Sequence, residues 1–350
     1  MKDRGVKVKK QIIGSILLVA IAILTFSIFF KGYSFQELIG ALRNANYFYL
    51  LAGLSMVFIH IICEAINTQL ILKVLGQPIS FNSSFRYSCI GFYFGSITPL
   101  ASGTQPAQVY YMKQDKISVT MSSLTIFYIT LVYQISLILL GIAAFVFSFQ
   151  TAIWFFSKLK YLLIVGSIIN IGAILLLFLL MFSNKIMPGI LFFLIKLGNK
   201  LHIVKKADET KSKAEKSIRS YREKALIIRQ HPVLFLQVLF FSMVQMTAMC
   251  LIPYLVYKGM GYLSYPVVKL TACQALLSIS VSAIPLPGSE GITQAGFLQV
   301  FNRFFPHSAI TFAMLINRVI SFYLPLIINF VIYLFAHIRT LKQSKKDILV

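Results

Sequence analysis

Six stretches of the chain are each long and apolar enough to cross about 30 Å of hydrocarbon, for which an α-helix needs about 20 residues. They cover residues 11–30, 47–72, 118–148, 161–183, 233–257 and 308–336. The whole sequence is 58% hydrophobic and only 12% charged, which excludes a soluble globular domain. The sequence therefore predicts an all-α polytopic membrane protein with six spanning helices, folded as one integral domain over residues 1–350.

The basic residues indicate how these spans are oriented. The chain has 33 Lys and Arg against 10 Asp and Glu, a net charge of +23. The basic residues cluster in the first ten residues, in the connector 184–231 and in the C-terminal tail. Attraction to anionic lipid at the membrane surface explains these clusters better than binding to nucleic acid. Placing all three clusters in the cytoplasm makes the six helices alternate consistently, with both termini inside. We interpret residues 11–30 as a retained helix and not as a signal peptide.

Within the connector, residues 205–230 are predicted to form a basic helix at the membrane surface, although a site that recruits a partner protein fits the same residues. The four cysteines lie in apolar segments and form no CxxC pair, so we expect buried thiols. Neither a metal site nor a cofactor is predicted. The sequence also lacks Walker A, HExxH and GxSxG motifs in a suitable context, so we expect no enzymatic activity from this chain alone.

Two apolar regions, 85–114 and 267–305, are each interrupted near the middle by residues that disfavour a continuous helix. The interrupting residues are Pro99, Gly103, Pro106, Pro285, Pro287, Gly288 and Gly291. At membrane depth, irregular backbone is tolerated only where protein or a water-filled cavity satisfies its polar groups. We therefore predict two re-entrant or broken helix hairpins.

The two breaks resemble one another. Pro99-Leu100 aligns with Pro285-Leu286, and Gln108 and Gln294 then coincide. The order of span, hairpin and span is also the same in residues 47–148 and 233–336, and the charge distribution gives these two units opposite orientations. Inverted repeats with broken helices are typical of secondary transporters, so this layout favours translocation over catalysis.

Polar residues inside the apolar segments are the candidates for a translocation path. Arg318, with Asn317 beside it, is suited to a phosphate, but an ion pair with Glu64 or Glu290 that locks the bundle fits equally well. Glu290 lies in the second break, either as a ligand for an amine or as a hydrated loop residue. The further candidates are Gln105, Gln294 and Tyr110, for which helix capping or packing at the interface are the alternatives.

Glu64 follows His60 by four residues and precedes Asn67 by three, so the three side chains share one face of a helix. A polar face on a spanning helix should point into the bundle or towards a cavity. A structural hydrogen-bond network and direct contact with a substrate both remain open for this face.

The stretches GSITPLASGTQPAQVYYMK, PLPGSEGITQAGF and NRVISFYLPLI resemble the transmembrane region of the lysylphosphatidylglycerol synthases, the multiple peptide resistance factor family. The first motif of that family is matched at Thr98, Pro99, Gly103, Gln105, Pro106, Tyr110 and Tyr111. The second motif departs from the family pattern. Ser289 replaces a glycine, Gln294 stands at the usual glutamate, and Glu290 lies one helical turn earlier.

The resemblance implies a membrane region that flips aminoacylated phosphatidylglycerol to the outer leaflet, without the soluble synthase domain of complete members. The expected cargo is that lipid or a related anionic or isoprenoid-linked lipid. Expected partners are membrane lipids, with a lipid-synthesising enzyme and a second copy of the chain as candidates. A multi-pass location in a bacterial-type plasma membrane and a part in resistance to cationic antimicrobial peptides are also implied. The alternative is a contribution to phosphatidylglycerol lysyltransferase activity together with a separate catalytic domain.

Overall fold

The computed structural model describes residues 40, 43, 45–183, 186–189, 207–282, 284 and 291–346, and this part of the chain is almost entirely helical. Eleven α-helices are numbered here within these ranges. They are α1 Tyr47–Val74, α2 Phe81–Ile97, α3 Thr104–Gln114, α4 Val119–Phe147, α5 Phe149–Phe182, α6 Ala207–Arg229, α7 Pro232–Gly259, α8 Val267–Val281, α9 Ile292–Phe301, α10 Ile310–Arg318 and α11 Leu324–Lys346. A π-helical turn, Val319–Tyr323, joins α10 to α11 without a break.

Five helical segments of the described chain are long and apolar enough to span a membrane. They are α1, α4, α5, α7 and the continuous segment Ile310–Ile338. These five match the predicted spans that begin at residue 47 and beyond, whereas the predicted span 11–30 lies outside the described residues. The all-α, multi-pass prediction is therefore confirmed.

The stretch between the third and fourth predicted spans is helical and not a loop. A loop was expected over 149–160, but α5 begins at Phe149 and continues through that stretch with a kink at Leu159. Leu159 lies between Lys158 and Lys160 and has non-helical backbone angles, so the kink comes two residues before the predicted start of the span at 161. The Lys160 ammonium lies 4.9 Å from the centre of the Tyr161 ring, a favourable cation–π contact.

Each predicted hairpin region contains two helices. In the first, residues 98–103 separate α2 from α3, and Leu100 and Ala101 adopt φ angles of 53° and 52°. Pro106 does not break a helix, because it lies in the first turn of α3, where a missing N–H is tolerated.

In the second hairpin, Gly291 precedes α9 with a φ of 77°, which favours glycine. The predicted break residues Pro285, Pro287 and Gly288 lie outside the described residues, as does Glu290.

The helices that follow residue 46 and those that follow residue 231 have nearly the same lengths in the same order. Helices α1 to α4 have 28, 17, 11 and 29 residues. Helices α7, α8 and α9 and the last spanning segment have 28, 15, 10 and 29 residues.

The extensive interface between α1 and α7 is the centre of the bundle. These helices run antiparallel, because Asn46 at the start of α1 donates its N–H to the carbonyl of Gly259 at the end of α7 (2.7 Å). The first helix of each hairpin packs against the last spanning segment of the other half of the chain. Helix α2 packs against α11, and α8 packs against α4.

The basic helix predicted at 205–230 is observed as α6. Its buried residues repeat at helical spacing, which docks one face of the helix on the bundle; they are Ala214, Ile218, Tyr221, Ala225 and Ile228. The Lys224 ammonium donates to the carbonyl of Leu75, just beyond the end of α1 (3.1 Å). The basic face of α6 is therefore held at the end of the bundle where α1 ends and α7 begins.

Candidate functional site

The polar face predicted on α1 lies in the interface with α7. The amide nitrogen of Asn67 donates to the hydroxyl of Ser242 (3.2 Å). His60 lies about two turns nearer the start of α1. Its Nδ1 atom lies 3.4 Å from the backbone carbonyl oxygen of Gln245, and its Nε2 atom lies 3.4 Å from the side-chain nitrogen of Gln245. Glu64 lies between these two contacts on the same face. The α1–α7 interface thus carries a polar strip through an otherwise apolar bundle.

Glu64 connects this strip to the first hairpin. Its carboxylate accepts a hydrogen bond from the amide nitrogen of Gln108 on α3, at 2.6 Å. Gln108 is 2% exposed, and it reaches α1 because Gly91 on α2 has no side chain. A Cβ atom at position 91 would lie 2.8 Å from Cδ of Gln108. A close approach of α2 and α3 therefore positions the amide against the carboxylate.

The walls around the strip are thiols and aromatic rings. Cys89 and Cys250 are buried, and the rings of Phe92 and Tyr133 meet the His60 ring edge-on at 6.3 and 6.5 Å. All four cysteines of the chain are buried and free, as predicted. Across the described ranges, no three His, Cys, Asp or Glu residues come together as a metal site.

Two buried amide oxygens in the strip, Oδ1 of Asn67 and Oε1 of Gln245, have no hydrogen-bond partner within the described part of the chain. Asn67 and Gln245 are 0% and 2% exposed. A buried acceptor without a donor costs about 1–3 kcal/mol, so these oxygens mark places where a hydroxyl, an ammonium or water would bind favourably. Together with Glu64, the strip presents acceptors to a polar group inside the bundle.

Arg318 and Asn317 form a second polar position, at the end of α10. Each is 7% exposed, and the Arg318 guanidinium lies 4.5 Å from the centre of the Phe322 ring. The backbone continues from Arg318 into the π-helical turn, a feature that is frequent at functional sites. Among the ion pairs within the described residues, none joins Arg318 to Glu64. Glu290, the other predicted partner of Arg318, lies outside those residues.

The remaining candidates differ in their positions. Gln105 is partly buried on α3, one turn before Gln108. Tyr110 is 50% exposed on another face of α3, where its ring contacts Tyr111, and it does not join the polar strip. Gln294 lies in the first turn of α9, and its side-chain oxygen accepts the N–H of Gly291.

Sequence reasoning did not identify Ser242, Gln245 and Gly91. The first two are spaced three residues apart in the apolar α7, so they share a face, and that signal was present in the sequence. The contact between Gly91 and Gln108 had no comparable signal, because it depends on how two helices of the hairpin approach each other.

Residues 12–328 match the family described as the lysylphosphatidylglycerol synthase TM region. The chain belongs to this family. It is also similar to a UPF0104 membrane protein from Archaeoglobus fulgidus, with 24% identity over 318 residues, which cover 88% of this chain and 92% of that protein. The matched region contains both hairpins, the polar strip and Arg318. Family membership supports a lipid-related role in a membrane, where a multi-pass protein contacts lipid directly.

Proposed function

We propose that this protein translocates a lipid from the inner to the outer leaflet of a bacterial-type plasma membrane. The cargo is an aminoacylated phosphatidylglycerol or a related anionic or isoprenoid-linked lipid. The observation that carries the proposal is the bond between Glu64 and Gln108, which joins a carboxylate in the α1–α7 interface to the helix after a break. An ionisable group inside a membrane bundle is costly and is usually kept for function.

The packing of the helices supports the predicted inverted repeat. The first helices of the two units, α1 and α7, run antiparallel at the centre, and each hairpin packs against the last span of the other unit. Such an exchange is expected when two similar units are related by a two-fold axis in the membrane plane. In transporters with this architecture, substrate sites lie at the interface between the repeats, and the polar strip occupies that interface here.

In the proposed mechanism, the acyl chains stay in lipid while the headgroup follows the polar residues. Glu64 and the open amide oxygens of Asn67 and Gln245 accept hydrogen bonds from an ammonium or hydroxyl group. Arg318 binds the phosphate, because a guanidinium offers paired donors to phosphate oxygens. Gln294 and Glu290 are assigned to the second break on the same path.

A lipid translocation assay in vesicles tests the proposal. Purified protein is reconstituted with labelled aminoacyl-phosphatidylglycerol, and movement between the leaflets is measured by accessibility to an impermeant quencher. Glu64→Gln should slow movement about tenfold or more, since a charge-assisted hydrogen bond contributes about 1.5–3 kcal/mol. Glu223→Gln is the matched control, because Glu223 is exposed on α6.

Arg318→Gln should also slow movement, whereas Arg303→Gln, whose guanidinium stacks on Trp154, should not. Wild-type rates in both Glu64→Gln and Arg318→Gln would reject the proposed path.

The name of the matched family favours a second candidate, a contribution to phosphatidylglycerol lysyltransferase activity with a separate catalytic domain. Lipid extracts from cells with and without the protein separate the two functions. Loss of an aminoacylated lipid species supports a role in synthesis. Unchanged lipid content with an altered distribution between leaflets supports translocation.

A further inference from the structure

A groove lies between the end of α5 and the docked helix α6, on a different part of the bundle from the polar strip. It consists of two adjoining pockets. The pockets share Phe182, Ser183 and Arg229 in their linings, so they form one continuous surface.

One wall of the groove belongs to the lipid-facing surface of a spanning helix. Phe178 and Leu179, which line the second pocket, are 52% and 43% exposed in the last turns of α5. Large apolar side chains exposed on a spanning helix face acyl chains. The groove therefore opens onto lipid at one end of the membrane span.

The opposite wall is basic. Arg222 and Arg229 of α6 line the first pocket, and Leu226 between them adds apolar surface. No acidic side chain is among the lining residues that the structure describes. This wall of the groove therefore offers guanidinium donors to an anion.

We infer that this groove is a binding site for an anionic phospholipid that is separate from the translocation path. The phosphate lies against Arg222 and Arg229, and the acyl chains follow the exposed apolar face of α5. Guanidinium groups are well suited to phosphate, and basic residues at the membrane surface attract anionic headgroups. A lipid bound here joins α5 to α6 and stabilises the position of the basic helix.

Native mass spectrometry of the delipidated full-length protein tests this inference. The protein is titrated with phosphatidylglycerol and with phosphatidylcholine of the same acyl chains. Wild-type protein should retain phosphatidylglycerol about tenfold more tightly. The double variant Arg222→Gln/Arg229→Gln should lose this preference. Lys216→Gln/Arg219→Gln removes the same charge from exposed positions of α6 outside the groove lining and should keep it.

Equal retention of the two lipids by the wild type would show that the protein has no preference for the anionic headgroup. Equal losses in the two double variants would show diffuse attraction by the charge of α6. Either result would overturn the inference. If the groove double variant fails to fold, Arg229→Gln and Leu226→Trp provide the test, since Leu226 is 53% exposed and a larger side chain fills the groove without changing charge. An unchanged preference in both would refute the site. The vesicle assay is a separate measurement, so a loss of this lipid preference in the groove variants and a loss of translocation in the path variants are distinguishable.

Discussion

Gln108 and Gln294 occupy corresponding positions in the two hairpins, nine residues after the Pro-Leu pairs that align the predicted repeat. Their side chains have different partners. Gln108 donates across helices to Glu64, whereas Gln294 accepts the N–H of Gly291 at the start of its own helix. The same alignment pairs Glu64 with Cys250, a buried thiol. Within the described residues, the two units thus differ in their interior chemistry, since the carboxylate bonded across helices belongs to the first.

The tight contact inside each hairpin differs in the same way. In the first, Gly91 on α2 leaves room for the polar side chain of Gln108. In the second, Gly296 on α9 leaves room for Leu277, and a Cβ at position 296 would lie 2.6 Å from Cδ1 of that leucine. The alignment pairs Gly91 with Leu277, so the position that leaves room for a polar side chain in the first unit carries an apolar side chain in the second.

The largest effect is expected from Gly91→Leu, which gives the first hairpin the residue of the second. The new side chain displaces Gln108 and removes the donor from Glu64. We expect the free energy of unfolding to fall by about 1–3 kcal/mol, as for other overpacked cores, and translocation to fall to the level of Glu64→Gln. Thermal unfolding in detergent and the vesicle assay measure the two effects.

Gly172→Leu is the control for this variant. No atom lies within 4 Å of a Cβ built at Gly172 of α5, so the added side chain points into open space. Equal losses in the two variants would show that the packing against Gln108 has no special role.

An intermediate effect is expected from removing each glutamine separately. Gln108→Ala leaves a buried carboxylate without its donor and should slow translocation about tenfold, since an unsatisfied buried group costs about 1–3 kcal/mol. Gln294→Ala removes a helix-capping contact and should slow it by less than about threefold, with a loss of stability of about 0.5–2 kcal/mol. Equal rates in the two variants would contradict the functional asymmetry between the hairpins.

The smallest effect is expected at the open ends of the hairpins. In the first, Arg86 and the hydroxyl of Tyr87 both donate to the carboxylate of Asp115. In the second, Phe301 stacks on Phe297 with ring centres 4.2 Å apart. Because Arg86 and Asp115 are partly exposed, Asp115→Asn should lower stability by only about 1 kcal/mol or less.

Salt should reveal the difference between these two ends. Raising the ionic strength should destabilise the wild type slightly more than Asp115→Asn, since exposed charges are screened. A parallel set of unfolding curves with and without 1 M salt measures this (a concentration at which the screening length is about 3 Å). Identical salt dependence would show that the ion pair contributes nothing to closing the hairpin.

Several parts of the site followed from local sequence patterns. The spacing of His60, Glu64 and Asn67 placed them on one helix face, and the structure puts that face against α7. The first break was located from Pro99 and Gly103. Local patterns failed at the start of α5, because the residues from Phe149 to the kink at Leu159 are helical although a loop was expected there.

The sequence by itself determined that the solvent of this protein is lipid, where its five described spans lie and where the first hairpin is broken. Those properties depend on residues that are neighbours along the chain, since hydropathy, proline and glycine act within a few turns. Only the tertiary structure decided that Glu64 is bonded to Gln108 and not to Arg318, and that Arg222 and Arg229 line a groove beside α5. These contacts depend on the relative positions of helices that are far apart in the chain. A single chain's periodicity does not contain that information.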